Sequence, residues 1–336
     1  MISEDNVLRI GTRGSPLALA QTNTVCALLA EAYPDLKTEI VVIKTSGDWN
    51  PEDGEVRLSE AQGGKGQFAK EIELALLAGE IDAAVHSMKD MDSNLPDGLV
   101  IDHMLPREDP RDALLFSSKN KELADSGQFD RRGFEALPAD MVVGTASVRR
   151  GAFVLSERPD LKIKPFRGNV QTRIDKLRDE NSPSEVGCTF LAMAGMRRLG
   201  IADEADVVLE PEVMLPAAGQ GAVGVEVRGS DENVLSIFSH ISCFKTIVCV
   251  KSEREVLRVL DGTCHTSIGA YAELDNGEIW LRVRVVSLDG QHSFKDELRA
   301  PVATVQDAIE VGHKLGKKLK AEIPAEILTG ILSDGE

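Results

Sequence analysis

"IGTRGS" at residues 10–15 and "VGTAS" at residues 143–147 are two versions of one local pattern. In each, a β-rich run ends in Gly-Thr and then reaches a serine that opens a helix, although the spacing differs by one residue. Serine followed by Pro16 is a typical helix start. Because strands and helices then alternate on both sides, we predict two similar α/β domains that face each other across a cleft, each built on a largely parallel sheet.

The C-terminal third of the chain has a different pattern. Two helical runs follow Val223–Val227, and three β-rich runs are then separated by Asn276-Gly277 and Asp289-Gly290, which are strong hairpin signals. This predicts a smaller α+β domain with a three-stranded antiparallel sheet. The predicted domains are residues 1–108 with 220–240, residues 109–219, and residues 241–336.

The composition narrows the classes of function. The formal net charge of −17 over 336 residues disfavours nonspecific binding to nucleic acid or to anionic lipid. No apolar run is long enough to span a bilayer, and residues 1–6 do not resemble the start of a signal peptide. Five cysteines without paired spacing and six scattered histidines argue against disulfides and a metal site. We therefore expect a cytoplasmic protein without nucleic-acid or membrane partners. A monomer that acts on a small molecule is a separate expectation.

Arginines gather at strand-to-helix turns, against the acidic trend of the chain. Because such turns open at one edge of a sheet, where free backbone N–H groups also favour anions, they predict a cleft for a polycarboxylate or a phosphate. Neither a GxxxxGK[ST] loop nor a GxGxxG fingerprint after a strand is present, which makes a nucleotide the less favoured ligand. The residues concerned are Arg13, Arg149, Arg150, Arg167, Arg173, Arg197 and Arg198.

Two further stretches carry chemistry but have ordinary explanations too. "AAVHSMKDM" at residues 83–91 is either a buried strand with a charged exit turn or a site in which Asp90 stays ionised beside Lys89. Cys264, in "LDGTCHTSIG", is either a small buried side chain or a thiol that meets the cleft. The other four cysteines lie in apolar helix or strand patterns and are interpreted as structural.

These motifs together resemble the porphobilinogen deaminase family, in the family's order and across nearly the whole chain. The resemblance implies two domains like those of periplasmic binding proteins, followed by a third domain. It also implies a transferase that joins porphobilinogen head to tail into hydroxymethylbilane, releases ammonia, and carries a dipyrromethane cofactor. The matching stretches are "GTRGSPLALAQ", "GGKGQFAKEIELALL", "AAVHSMKD", "REDPRDA", "VGTASVRR", "FRGNVQTR", "LAMAGMRRLG", "LPAAGQGAVGVEVR" and "DGTCHTSIGAYAEL".

The resemblance also implies roles for individual residues. Asp90 and Lys89 would be catalytic, with Asp90 stabilising positively charged pyrrole rings, and Cys264 would hold the cofactor through a thioether. Gln220 lies where the first two domains cross, and the resemblance favours Arg198 over Arg197. The other cofactor-binding residues would be Arg13, Ser15, Lys65, Ser87, Lys89, Asp90, Thr145, Ser147, Arg149, Arg150, Arg167, Gly168 and Arg173. The substrate-binding residues would be Arg13, Phe68, Arg149, Arg167, Arg173 and Arg198.

The chain departs from the family pattern at the cofactor loop, where Thr263 replaces a usual glycine. Two other interpretations stay open: a two-lobed protein that binds an anionic ligand without catalysis, and a thiol enzyme that uses Cys264 with His265. Adjacent residues rarely align as nucleophile and base. A pure binding protein has no use for both Asp90 and Cys264, so we favour the transferase.

Overall fold

The computed structural model describes residues 7–45, 69–126, 133–181, 184–262 and 266–332. The strands in this part of the chain are β1 (Val7–Thr12), β2 (Lys37–Val42), β3 (Ala83–Ser87), β4 (Leu99–Met104), β5 (Asp112–Phe116), β6 (Val142–Gly144), β7 (Lys162–Lys164), β8 (Cys188–Ala192), β9 (Val207–Leu209), β10 (Val223–Arg228), β11 (Ile268–Asp275), β12 (Glu278–Val286) and β13 (Ser293–Pro301). The α-helices are α1 (Pro16–Ala32), α2 (Lys70–Leu77), α3 (Val148–Glu157), α4 (Val170–Arg178), α5 (Met193–Arg198), α6 (Glu232–Ser239), α7 (Phe244–Val259), α8 (Val305–Glu322) and α9 (Ala325–Leu332).

The first sheet has the strand order β2-β1-β3-β10-β4. β1 pairs in parallel with β2 and β3, whereas β10 runs antiparallel to both β3 and β4. Leu8 and Ile10 of β1 and Val227 of β10 are fully buried, and they pack with Val25 and Leu29 of α1. The sheet therefore has a strand from the distant part of the chain in its interior.

The second sheet has the order β7-β6-β8-β5-β9 and repeats this plan. β6 pairs in parallel with β7 and β8, and β5 runs antiparallel to β8 and β9. Thus the predicted fold class is confirmed, but the expectation of largely parallel sheets is wrong for half of the pairings. The physical reason is that β5 and β10 are each reached by a crossing from the other sheet, without a helix that would bring the chain back in parallel.

The third sheet is the predicted antiparallel meander, with the order β11-β12-β13. Its first hairpin turns at Asn276 and Gly277, which have φ angles of 48° and 78°, as a two-residue turn of this kind requires. One apolar face packs against α7 and α8, and α8 starts with a capping box formed by Thr304 and Asp307.

The strand-to-helix turns form where the sequence predicts them. The Ser15 Oγ accepts a hydrogen bond from the Ala18 N–H at the start of α1, and the Ser147 Oγ accepts one from the Arg150 N–H at the start of α3. Across the cleft, a Cβ on Gly195 of α5 would lie 3.5 Å from Leu17 of α1. The two α/β units therefore contact each other beside these turns.

Two crossing segments connect the first two sheets, at residues 105–111 and 210–222. They touch at Gly221, which has a φ of 88° and whose added Cβ would lie 2.3 Å from the Glu108 carbonyl oxygen, so only glycine fits there. The predicted domain boundaries stay predictions.

No single helix among the described residues has the length and apolar character to span a membrane. Only α6 and α7 taken together meet both criteria, and they are bent by 115° at the break between them.

Candidate active site

The 3₁₀ turn Met88–Asp90 directly follows β3 and carries two of the predicted site residues. Met88 is buried, while Lys89 and Asp90 are partly exposed. Gly219, with a φ of 73°, packs against this turn: an added Cβ would lie 2.8 Å from the Met88 Cβ and 3.3 Å from the Lys89 nitrogen. A glycine in the second crossing segment is therefore needed for the turn to sit where it does.

Lys89 is a desolvated cation. Burial lowers the pKa of its ammonium from 10.5 to about 8, with Asp90 and Asp112 opposing that change and Arg150 and Arg173 adding to it. Its Nζ donates to the Gln220 Oε1 at 3.5 Å, a long contact with a neutral acceptor. The ammonium therefore lies close to several charges without a short ion pair among the described residues, an arrangement suited to an anionic ligand.

Gln220 joins the turn to the second sheet. This residue is 1% exposed. While its Oε1 faces Lys89, its Nε2 donates to the Pro110 carbonyl oxygen at 2.6 Å and to the Asp112 Oδ1 at 2.9 Å. One amide side chain thus contacts groups from both α/β units.

Asp112 binds two of the predicted ligand-binding arginines. The Arg149 Nη2 and the Arg150 Nη2 each donate to one of its carboxylate oxygens at 2.7 Å, and all three side chains are buried. Burial by itself would raise the pKa of the Asp112 carboxyl, but Arg150 and Arg149 outweigh it and hold that pKa well below its usual value. One donor of this group is still available for a hydrogen bond: the buried Arg150 Nε has no hydrogen-bond partner among the described residues.

The adjacent residues Arg197 and Arg198 have different surroundings. Arg197 is exposed and pairs with Glu108 at 3.0 Å and Asp109 at 3.1 Å. Arg198 donates to the Gly221 carbonyl oxygen at 2.7 Å, and burial lowers the pKa of its guanidinium. Arg198 is thus the desolvated member of the pair, and its preference over Arg197 as a ligand-binding residue stays a prediction.

The other predicted residues line the ends of neighbouring strands. Arg167 is 6% exposed and precedes Gly168, whose φ of 122° places its backbone against Thr172 at the start of α4. Arg173 follows one turn later in α4 and is among the charges that act on Lys89. Arg150 of α3 and Arg173 of α4 therefore both lie close enough to act on the Lys89 ammonium.

On the first unit, the Ser87 Oγ accepts a hydrogen bond from the Gln21 Nε2 at 2.7 Å. The Thr145 Oγ1 likewise accepts one from the Ser147 N–H at 3.1 Å. Arg13 is partly buried in the turn between β1 and α1. The Ser87 hydroxyl thus connects β3 to α1, and the Thr145 hydroxyl stabilises the turn before α3.

Three predicted residues, Lys65, Phe68 and Cys264, lie outside the described part of the chain. The structure does describe the residue two positions before Cys264: the Gly262 carbonyl oxygen accepts a hydrogen bond from the Ser93 Oγ at 3.1 Å. Burial raises the pKa of the Cys188 and Cys249 thiols to about 12, as expected for structural cysteines.

The donor set fits a dipyrromethane. Such a group carries acetate and propionate side chains, and the cleft offers the desolvated Lys89, the desolvated Arg198 and the free Arg150 Nε as charged donors. Asp90 supplies a carboxylate at the same turn, which suits a positively charged ring rather than an acid group. Within the described ranges, no cluster of histidine, cysteine or acidic side chains is arranged to hold a metal ion.

Sequence reasoning missed Asp112, Arg107 and Glu253. The Arg107 guanidinium pairs with the buried Glu253 at 2.6 Å and donates to the Gln220 carbonyl oxygen at 2.9 Å. Glu253 also accepts from the Gly219 N–H at 2.7 Å, so it holds the segment that packs on the Met88–Asp90 turn. Arg107 and Asp112 both lie in the "REDPRDA" motif, which gave no sign that its charges are buried.

Comparisons with known proteins agree with these observations. Residues 8–236 match the family model described as porphobilinogen deaminase, dipyromethane cofactor binding domain, and residues 247–321 match the C-terminal domain model of the same family. The chain is 42% identical to the porphobilinogen deaminase of Syntrophomonas wolfei over 321 residues, covering 96% of this chain and 97% of the relative. It is 43% identical to the enzyme of Paracoccus denitrificans over 333 residues, covering 97% of each.

The solved structures that align with this chain are more distant relatives. The periplasmic aliphatic sulphonate binding protein SsuA of Escherichia coli aligns with a TM-score of 0.37 and 13% identity, covering 97% of this chain and 92% of that one. A YaeC-family lipoprotein of Enterococcus faecalis aligns with a TM-score of 0.40 and 13% identity, covering 72% of this chain and 94% of that one. Scores this low carry no argument about function.

Proposed function

The chain belongs to the porphobilinogen deaminase family, and from this premise we propose how its own residues perform the family's reaction. The enzyme is a transferase of tetrapyrrole biosynthesis that joins porphobilinogen units into hydroxymethylbilane with release of ammonia, on a dipyrromethane cofactor. The residues that bind the cofactor and carry the reaction are our proposal.

One observation carries the proposal: a desolvated lysine and a carboxylate share a single tight turn that Gln220 joins to the second sheet. Burial makes the Lys89 ammonium favour an anionic partner, and its hydrogen-bond partner among the described residues is the neutral Gln220 amide. Asp90 follows immediately on the same turn. Lys89 can therefore bind a carboxylate of the ligand, while the neighbouring Asp90 can face a reacting cation.

We assign the first task, binding, to cations. Lys89, Arg198, Arg173 and the free edge of Arg150 hold the acetate and propionate groups, because charge-assisted hydrogen bonds to carboxylates are strongest where water is excluded. When bound, the dipyrromethane supplies the pyrrole end to which the first porphobilinogen is joined. We assign its attachment to the Cys264 thiol.

The second task, charge stabilisation and proton transfer, we assign to Asp90. As ammonia leaves, the substrate ring becomes positively charged, and a carboxylate fixed in place lowers the energy of that charge more than mobile water does. The same carboxylate can hold the proton that the coupled ring releases. Lys89, one residue earlier, keeps the acid groups of the ligand away from Asp90.

The compartment, oligomeric state and partners of the enzyme are also proposals. We infer that it works as a cytoplasmic monomer on porphobilinogen, without membrane or nucleic-acid partners. The net charge of −17 supports the last point, because it repels phosphate backbones.

The intact mass of the reduced, denatured protein tests the proposal. We expect a dipyrromethane-sized addition that maps to Cys264, that survives reductant, and that is absent from a Cys264→Ala variant. Cys188→Ala, which alters a buried cysteine of the second sheet, is the matched control and should keep the addition. An unmodified Cys264 that stays unmodified after incubation with porphobilinogen would contradict the attachment.

A further inference from the structure

One face of α7 packs against the catalytic turn. Ile247 and Val250, one helical turn apart, lie in the same buried cluster as Met88 and Met91, on the two sides of Lys89 and Asp90. The opposite side of α7, including Val248 and Val256, packs into the core of the third sheet. The helix is therefore a layer between the catalytic turn and the sheet that follows the cofactor loop.

Arg254 extends this face by one more turn. Its Nη1 donates to the Met88 carbonyl oxygen at 3.2 Å and to the Met91 carbonyl oxygen at 2.9 Å, and its Nη2 donates to the Asp92 carbonyl oxygen. The three acceptors bracket Lys89 and Asp90 in the chain. One guanidinium thus fixes the backbone on both sides of the two proposed catalytic residues.

The helix also leads directly to the cofactor loop. α7 ends at Val259, and the chain passes through Gly262, whose carbonyl oxygen is held by Ser93 of the first unit. On its other side, the turn is confined by Gly219, where a Cβ would not fit. The turn is therefore in contact with Gly219 of the second crossing segment and, through Arg254, with the helix that leads to Gly262.

We propose that Arg254 is a positioning residue, which holds the Lys89–Asp90 turn in register with the segment that carries Cys264. This rests on the roles proposed for Asp90 and Cys264. Each coupling must bring a reacting ring to the same carboxylate, and a misplacement of about 1 Å costs up to about a hundredfold in rate. The Arg254 contacts keep the carboxylate in place during successive couplings.

The test compares Arg254→Met with Arg258→Met in the holoenzyme. Arg258 lies one turn further along α7, is largely exposed and pairs with Glu255, so its loss controls for general effects on the helix. Hydrogen exchange is followed by mass spectrometry in a peptide covering residues 86–93, where the Met88 and Met91 amides are hydrogen-bonded. We expect exchange at least about tenfold faster in Arg254→Met and unchanged in Arg258→Met.

Kinetics of the same samples, corrected for cofactor loading by intact mass, give the second measurement. We expect kcat to fall about tenfold to a hundredfold in Arg254→Met with a smaller rise in KM, because the turn carries Lys89 as well as Asp90 while the other binding cations lie on other elements. Arg254→Lys, which retains a charged donor but not the planar fork, should recover part of the loss. If Arg254→Met does not give folded holoenzyme, Arg254→Lys decides by the same two measurements, with smaller changes.

Unchanged exchange in the 86–93 peptide would overturn the proposal. Faster exchange with a wild-type kcat would overturn it too, because the register would then not matter. A rise in KM with constant kcat would reassign Arg254 to ligand binding. An active Asp90→Asn variant would refute the role of Asp90 but would leave the exchange result standing, so the two failures can be told apart.

Discussion

Both α/β units carry positive charge just beyond the ends of strands, Lys89 after β3 and Arg149 with Arg150 after β6, but the surroundings of these charges differ. In the second unit, Arg149 and Arg150 are buried and share the Asp112 carboxylate. In the first unit, Lys89 has a long contact with a neutral amide, and burial lowers its pKa to about 8. The second turn is therefore balanced within the protein, whereas the first keeps charge available for a ligand.

This difference explains a sequence that is otherwise unfavourable. Two arginines in the first turn of α3 oppose the helix dipole and need compensation, which Asp112 provides from β5, two strands away from β6 in the same sheet. Positive residues at a turn are thus not equivalent as ligand-binding candidates. The informative property is whether an internal carboxylate already binds them.

The largest expected effect comes from the first unit. Asp90→Asn keeps the shape of the turn and the cations around it but removes the negative charge, so we expect turnover to fall about 10² to 10⁴-fold while carboxylate binding persists. Initial rates of porphobilinogen consumption measure the loss. Asp102→Asn, an exposed site of the same unit that pairs with Lys251, is the control. An Asp90→Asn rate within threefold of wild type would refute the assigned role.

The next prediction separates stability from binding. Arg149→Leu leaves Asp112 with one guanidinium and should lower the free energy of unfolding by about 3 kcal/mol. Arg198→Leu loses a hydrogen bond to the Gly221 carbonyl oxygen, about 1 kcal/mol, but should raise KM about tenfold. Urea denaturation measures the free energy of unfolding of each variant, and steady-state kinetics measures its KM. Equal losses of stability would show that the ion pair of Arg149 with Asp112 does not contribute more to stability than the single hydrogen bond of Arg198.

The smallest expected effect is a titration. In a cofactor-free Cys264→Ala protein, the pKa of Lys89 should be about 8, and the carboxylates of the cofactor should raise it in the holoenzyme. Because the folded-state pKa lies below that of the unfolded chain, this group's contribution to stability in the cofactor-free protein increases as pH rises from about 8 to 10.5.

Nuclear magnetic resonance of ¹³C-methylated lysines measures this pKa, and the signal missing from Lys89→Gln identifies the residue. The same pKa with and without cofactor would mean that no carboxylate reaches Lys89. In that case Lys89 would be as unavailable to the ligand as Arg149, which is paired within the protein.

Much of the fold could be predicted from the sequence, because local signals determine it. Serine caps at α1 and α3 and the Asn276-Gly277 turn act within a few residues, and the structure has them as expected. The positions of β5 and β10 in their sheets, and their antiparallel direction, could not be predicted. Their neighbours are set by contacts across more than seventy residues, and their apolar runs do not encode direction.

The site divides in the same way. Lys89 and Asp90 follow an apolar strand and could be singled out for that reason, whereas Asp112 looks like one of several charges in "REDPRD". Arg254 gave even less signal, since a helical arginine is usually solvated. Its role depends on which face of α7 meets the first unit, and this is a property of the assembled fold.

The position of β10 also determines the order in which the protein can assemble on the ribosome. β10 separates β3 from β4 in the first sheet, so that sheet is incomplete until residue 228 has emerged. All strands of the second sheet lie between residues 112 and 209, and they emerge earlier. At typical rates of synthesis, the N-terminal strands wait roughly ten seconds for their partner. The segment in the middle of the chain therefore folds first, and the N-terminal unit closes around a strand that is synthesised after it.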